Sequence, residues 1–155
     1  MAGRTLVAYH TKTGASGTYA KTITETLASL GLQVDLVDLK ENIPEVAGYD
    51  AVIVGTGVRI GWVYRRWRKL LKQKALGDRK LFLFLSSGTA VKEPALAVEK
   101  YLRKIVEKLG LKPVSMISLP GFFPEKWAKT EEDRHTVKPE LAAAWAREIA
   151  ERLKK

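Results

Sequence analysis

The sequence predicts an α/β three-layer sandwich built on a five-stranded parallel sheet in the order 2-1-3-4-5, and three observations carry that prediction. Short β-rich runs alternate with longer helix-period stretches along the chain, which calls for a parallel sheet with helices on both faces. Two of the runs, "AVIVGTG" at 51–57 and "LFLFLSSG" at 81–88, are continuously apolar, as strands buried on both faces are. A third, "QVDLVDLKE" at 33–41, carries Asp35 and Asp38 and so belongs at an edge, where that order places its second strand.

In chain order, the first strand is expected at 4–9, around the apolar run Leu6 to Ala8, and a helix at 16–30 follows it. The acid-bearing second strand spans 33–39 and the third 51–57. A helix is expected over 62–76, because Val63, Trp67, Leu70 and Leu71 recur at helical spacing. The fourth strand at 80–86, a helix at 93–109, the fifth strand at 113–119 and a last helix at 138–153 complete the pattern. The long irregular segment, "PGFFPEKWAKTEEDRHTV" at 120–137, has a length that inside a compact domain marks a functional or mobile loop. In an order of this kind a ligand sits beyond the carboxyl ends of strands 1 and 3, where the winding of the sheet reverses.

The 155 residues fit one domain spanning 1–155, and with 46% hydrophobic and 28% charged residues the chain is expected to fold throughout. The absence of cysteine excludes disulfides, thiolate nucleophiles and iron–sulfur ligation, and two histidines, His10 and His135, leave no basis for expecting a metal site. The start of the chain carries no signal-peptide pattern and no apolar run approaches the ~20 residues of a bilayer span, so a cytoplasmic location is the expectation. Chemistry in such a chain must come from a bound cofactor, or from carboxylates and hydroxyls.

The first strand opens onto "YHTKTGAS" at 9–16, with three Ser or Thr hydroxyls, one glycine and no acid. A strand feeding a helix in this way makes an anion site, since the first N–H groups of a helix lack internal partners and carry the positive end of its dipole. Thr11, Thr13 and Ser16 add donors, Gly14 allows close approach and Lys12 adds charge. The same hydroxyls would also serve as helix caps, so the donors alone do not decide. A P-loop is excluded because the chain has no Gly-Lys pair. "GTGVRIG" at 55–61 is one residue too long for the dinucleotide fingerprint and follows the wrong strand.

The sequence Thr11-Lys12-Thr13-Gly14-Ala15-Ser16 resembles the phosphate loop of flavodoxins, which bind flavin mononucleotide (FMN). Within that flavodoxin-like class, "YDAVIVGTGVRIGWVYRRWRKLLKQ" at 49–73 and "SSGTAVKEP" at 86–94 look like the corresponding stretches of menaquinone-dependent protoporphyrinogen oxidases. The likeness covers most of residues 4–110 and fades after the fifth strand. It implies that Thr56, Gly57, Val58, Arg59, Gly61 and Trp62 line one side of the flavin ring and Ser86, Ser87, Gly88 and Thr89 the other. Trp62 would stack on the ring or pack in the core, and Arg59 would be a surface residue or a partner for flavin carbonyls. The Tyr-bearing, acid-rich third loop of electron-carrier flavodoxins is missing here. The long insertion near the last strand of membrane-acting members has only the shorter 120–137 segment as a counterpart.

Charge adds a separate indication. The net charge is +10, and residues 64 to 74 hold six bases and no acid: Arg65, Arg66, Arg68, Lys69, Lys72 and Lys74. Such a face would attract anionic lipid, nucleic acid or an acidic partner protein, or serve solubility alone; with Phe122, Phe123 and Trp127 as interfacial anchors it suits an anionic membrane surface. Specific nucleic-acid binding is not expected, since no recognised module is present. The resemblance implies an FMN-binding oxidoreductase of the porphyrinogen or quinone type, with no side chain singled out as catalytic and a quinone, porphyrinogen or protein as redox partner. A one-electron carrier flavodoxin is the second reading, and a flavin-free interaction domain on the same fold the third.

Overall fold

The computed structural model describes residues 4–10, 15–59, 62–63, 69–87, 102–120 and 138–154. Its strands are β1 (Arg4–His10), β2 (Gln33–Asp38), β3 (Ala51–Arg59), β4 (Trp62–Val63), β5 (Lys80–Ser87) and β6 (Ser115–Pro120). The helices are α1 (Ala15–Ser29), α2 (Lys104–Leu109) and α3 (Pro139–Lys154). Five strands run parallel in the order β2-β1-β3-β5-β6, which is the expected 2-1-3-4-5 order of the five long strands. The acid-bearing β2 lies at the edge and pairs with β1 alone.

Alternation along the strands builds the three layers, because successive side chains of a strand point to opposite faces of the sheet. Leu6 and Ala8 of β1, Val52 and Val54 of β3, and Leu81, Leu83 and Leu85 of β5 enter one core, with Leu39, Val46, Leu70, Leu71, Leu76, Leu102 and Ile105 packed over them. Val7, Ala51, Ile53, Phe82 and Phe84 enter the other, beneath α1 and α3. From α1 come Tyr19, Ala20, Ile23 and Leu27, and from α3 Ala142, Trp145, Ala146, Ile149 and Ala150, each set at helical spacing on one face. Gly31, just past α1, and Gly110, at the end of α2, take left-handed conformations with φ of 90° and 66°, where a Cβ is disfavoured.

The second core depends on one missing side chain. Gly55 of β3 lies in register with Phe84 of β5, and a Cβ at Gly55 would clash with the outer atoms of the Phe84 ring. Phe84 in turn meets the Trp145 ring edge-on at 6.0 Å and 71°, so a helix, a strand and a glycine share one aromatic contact.

The helix expected over 62–76 is corrected in part. Trp62 and Val63 form a strand antiparallel to the end of β3, with Val58 opposite Val63 and Arg59 opposite Trp62. Helical structure is seen at 69–71, where Leu70 and Leu71 are buried as their spacing predicts, while Trp67 lies outside the described residues. The β-branched and aromatic residues on both sides of Gly61 favour pairing over a helical turn. Of the helix expected at 93–109, the described part is helical over Lys104–Leu109, and 93–101 lie outside the described residues.

Candidate functional site

The carboxyl ends of the parallel strands come level at one edge of the sheet. His10 of β1 is in register with Thr56 of β3, Thr56 with Leu85 of β5, and Gly57 with Ser86. Ser86 and Ser87 are in turn level with Leu119 and Pro120 of β6. Residues from all three stretches singled out in the sequence therefore meet at this edge: the chain entering α1, the end of β3 and the end of β5.

Ser16, in the first turn of α1, ties the first stretch to the third. Its hydroxyl lies 2.7 Å from that of Ser86, and both residues are buried, at 0% and 4% exposure. A pair of hydroxyls satisfies the polar groups that burial would otherwise leave unpaired. The first turn of α1 carries no acidic residue, and its leading N–H groups are those without partners inside the helix. A donor set of amides and hydroxyls, free of carboxylates, matches the chemistry of a phosphate dianion.

Past Gly57, β3 leaves its partner β5 and continues as the hairpin with β4. Val58 and Arg59 continue the strand past its last pair with β5. Val58, Arg59 and Trp62 are thus backbone positions of a projecting hairpin, with Arg59 and Trp62 a facing pair. Ala15 opens α1 and Ser87 closes β5. Thr11, Lys12, Thr13, Gly14, Gly61, Gly88 and Thr89 lie outside the described residues.

Sequence reasoning missed Tyr19. Fully buried on α1, it donates its hydroxyl proton to the Pro120 carbonyl and accepts the Lys138 N–H at 3.0 Å. The last residue of β6 and the residue before α3 are thereby held on one oxygen, at the two ends of the 121–137 stretch. Burial raises the Tyr19 phenol above its ordinary range, so it stays protonated and able to donate. The available signal was a tyrosine at a core-facing helical position, since a buried phenol needs a partner for its polar tip.

A groove of about 650 Å³ lined by Lys80, Val114, Glu148, Glu151 and Arg152 lies at the amino end of β5, away from this edge. Among the described residues, its lining pairs two cations with two carboxylates. Among the described residues, no helix is long and apolar enough to cross a membrane.

Residues 6–121 match the family model for the flavodoxin domain. No curated protein matches the chain in sequence. Among solved structures, the flavodoxin of Streptococcus pneumoniae is similar with a TM-score of 0.66 at 19% identity, over 97% of this chain and 99% of that one. Flavodoxin 2 of Bacillus cereus gives 0.64 at 23% identity, over 97% of this chain and 99% of that one. The rubredoxin oxygen:oxidoreductase of Desulfovibrio gigas gives 0.62 at 17% identity; the match spans 97% of this chain and 36% of that much longer one. At these identities the likeness is one of fold.

Proposed function

This chain belongs to the flavodoxin-domain family, whose cofactor is FMN, and we propose that it is an FMN-dependent oxidoreductase of the quinone-linked type resembling protoporphyrinogen oxidase. The observation that carries the site is the meeting of Ser16 in the first turn of α1 with Ser86 at the end of β5, level with Gly57 of β3. That convergence lies where a parallel sheet of this order binds its ligand.

The amide groups at the start of α1, with Thr11, Thr13 and Gly14, would hold the phosphate, and Ala15 and Ser16 would set the geometry of that turn. Lys12 supplies positive charge beside it. The hairpin bearing Thr56 to Arg59, Gly61 and Trp62 would cover one side of the ring and Ser87, Gly88 and Thr89 the other, with Ser86 behind them, buried against Ser16. Bound there, FMN would supply the redox chemistry that the chain's own side chains lack. The chain binds, orients and shields; no side chain is assigned a proton-transfer role.

Within the basic 64–74 stretch, Lys69, Lys72 and Lys74 are exposed while Leu70 and Leu71 are buried, which supports a cationic face available to an anionic membrane carrying the quinone. A second reading, the one-electron carrier, is favoured by the match over 99% of two single-domain flavodoxins. The test is turnover by the FMN-loaded protein. Oxidation of protoporphyrinogen with reduction of menaquinone in anionic vesicles supports the oxidoreductase. Absence of turnover, with electron exchange to a small redox protein, supports the carrier instead.

A further inference from the structure

Ser16 stands where a phosphate-binding hydroxyl is expected, yet its side chain faces the protein. It is fully buried, and its oxygen is 2.7 Å from Ser86 Oγ, on an element 70 residues away in sequence. We propose that Ser16 is a positioning residue whose hydroxyl binds Ser86 and leaves the phosphate to the backbone, so that the pair braces the first turn of α1 against the end of β5 and makes the phosphate site and the third loop move as one. The inference rests on the FMN-binding reading above and deepens it.

The chemistry follows from the geometry. A hydroxyl offers one proton and two lone pairs, so in this pair one oxygen donates and the other accepts, which gives each a partner where burial removes water. The first turn of α1 contributes N–H groups whose value for an anion depends on their direction, and a helix held at its second residue keeps that direction fixed. On the far side of the bond, Ser86 is in register with Gly57, so the brace also sets the level of the β5 end against the β3 end. Loss of either hydroxyl removes this buried partner from the other and frees the same joint.

The test compares FMN with riboflavin, which lacks the phosphate, on the wild-type protein, Ser16→Ala, Ser86→Ala and the double variant, with folding checked by the cooperativity of apo-protein melting. A brace predicts that both single variants weaken FMN by about three- to tenfold, lower the FMN-to-riboflavin affinity ratio alike, and combine to no more than either alone. It also predicts that inorganic phosphate raises the melting temperature of the apo wild type more than that of either variant. Three results overturn the brace while leaving the FMN reading in place. If Ser16→Ala lowers the ratio and Ser86→Ala leaves it unchanged, the Ser16 hydroxyl binds phosphate directly. If Ser86→Ala weakens riboflavin as much as FMN, Ser86 belongs to the ring site. If melting falls in both variants with the ratio unchanged, the pair is packing alone. A folded wild type that binds neither FMN nor phosphate overturns the FMN reading itself, and the brace with it.

Discussion

Replacing Gly55 by alanine tests the packing that sets the height of the site. The new Cβ clashes with the outer atoms of the Phe84 ring, directly across from Gly55 in the sheet. Phe84 has no room to retreat, being fully buried and edge-on to Trp145 at 6.0 Å. Overpacking of this kind costs about 1–3 kcal/mol, and rigid aromatic neighbours put this site at the upper end. The lower chain entropy of alanine in the unfolded state offsets about 0.5 kcal/mol, leaving a net loss of about 2 kcal/mol. In a domain of this size that lowers Tm by about 4–8 °C. Calorimetry of Gly55→Ala, Phe84→Leu and the pair measures it. Relief of the clash by the smaller side chain makes the double variant more stable than the sum of the singles predicts. Additive losses, or a Gly55→Ala protein melting at or above the wild type, would refute the steric account.

Other predictions concern groups away from the cofactor. Tyr19→Phe removes the hydroxyl that holds Pro120 and Lys138, at a cost of about 1–2 kcal/mol. Its urea midpoint should fall with an unchanged m-value, and a wild-type midpoint would show that the clasp contributes nothing. Because burial raises the Tyr19 phenol, its contribution is complete below the unfolded value of about 10 and is lost as pH rises through the higher folded value. Tyr19→Phe should therefore flatten the alkaline loss of stability, and an equally steep loss in the variant refutes this. At the sheet edge, Asp35 accepts hydrogen bonds from Tyr49, at 2.8 Å, and from Arg4, which also lies 4.9 Å from the centre of the Tyr49 ring. The Tyr49 bond first and the Arg4 bond second hold the Asp35 carboxyl below its ordinary range. That contribution is present above the unfolded value of about 3.9 and is lost as pH falls through the lower folded value. Unfolding midpoints of Tyr49→Phe across the acid range should fall less steeply than those of the wild type, and an unchanged slope argues against the pairing.

Much of the architecture was legible because burial on both faces leaves an unmistakable mark on a strand: "AVIVGTG" and "LFLFLSSG" became β3 and β5 at the centre of the sheet. Asp35 and Asp38 marked the edge for a physical reason now visible, since Asp35 serves Arg4 and Tyr49 while Asp38 accepts the Lys40 N–H at 2.9 Å. The hairpin of β3 with β4 was hidden because Val63, Trp67, Leu70 and Leu71 satisfy helical spacing, and spacing carries no information about a partner strand. Pairing of Arg59 with Trp62 across two residues ending in Gly61 is a tertiary choice that periodicity does not weigh. At the site, hydroxyl type and position were readable at Ser16 and Ser86. Their mutual bond joins residues 70 apart, which a single sequence does not encode in any local pattern. The Tyr19 clasp was missed for the same reason.

The central claim is that the strand-edge convergence holds the phosphate of FMN. Titration of the purified protein with FMN, followed by quenching of flavin fluorescence and confirmed by absorption after gel filtration, tests it most directly, with Thr13→Glu as the comparison. The account predicts about one FMN retained per chain and its loss in Thr13→Glu, where a carboxylate repels the phosphate. A folded wild type that retains no flavin, or a Thr13→Glu protein that retains as much as the wild type, would contradict it.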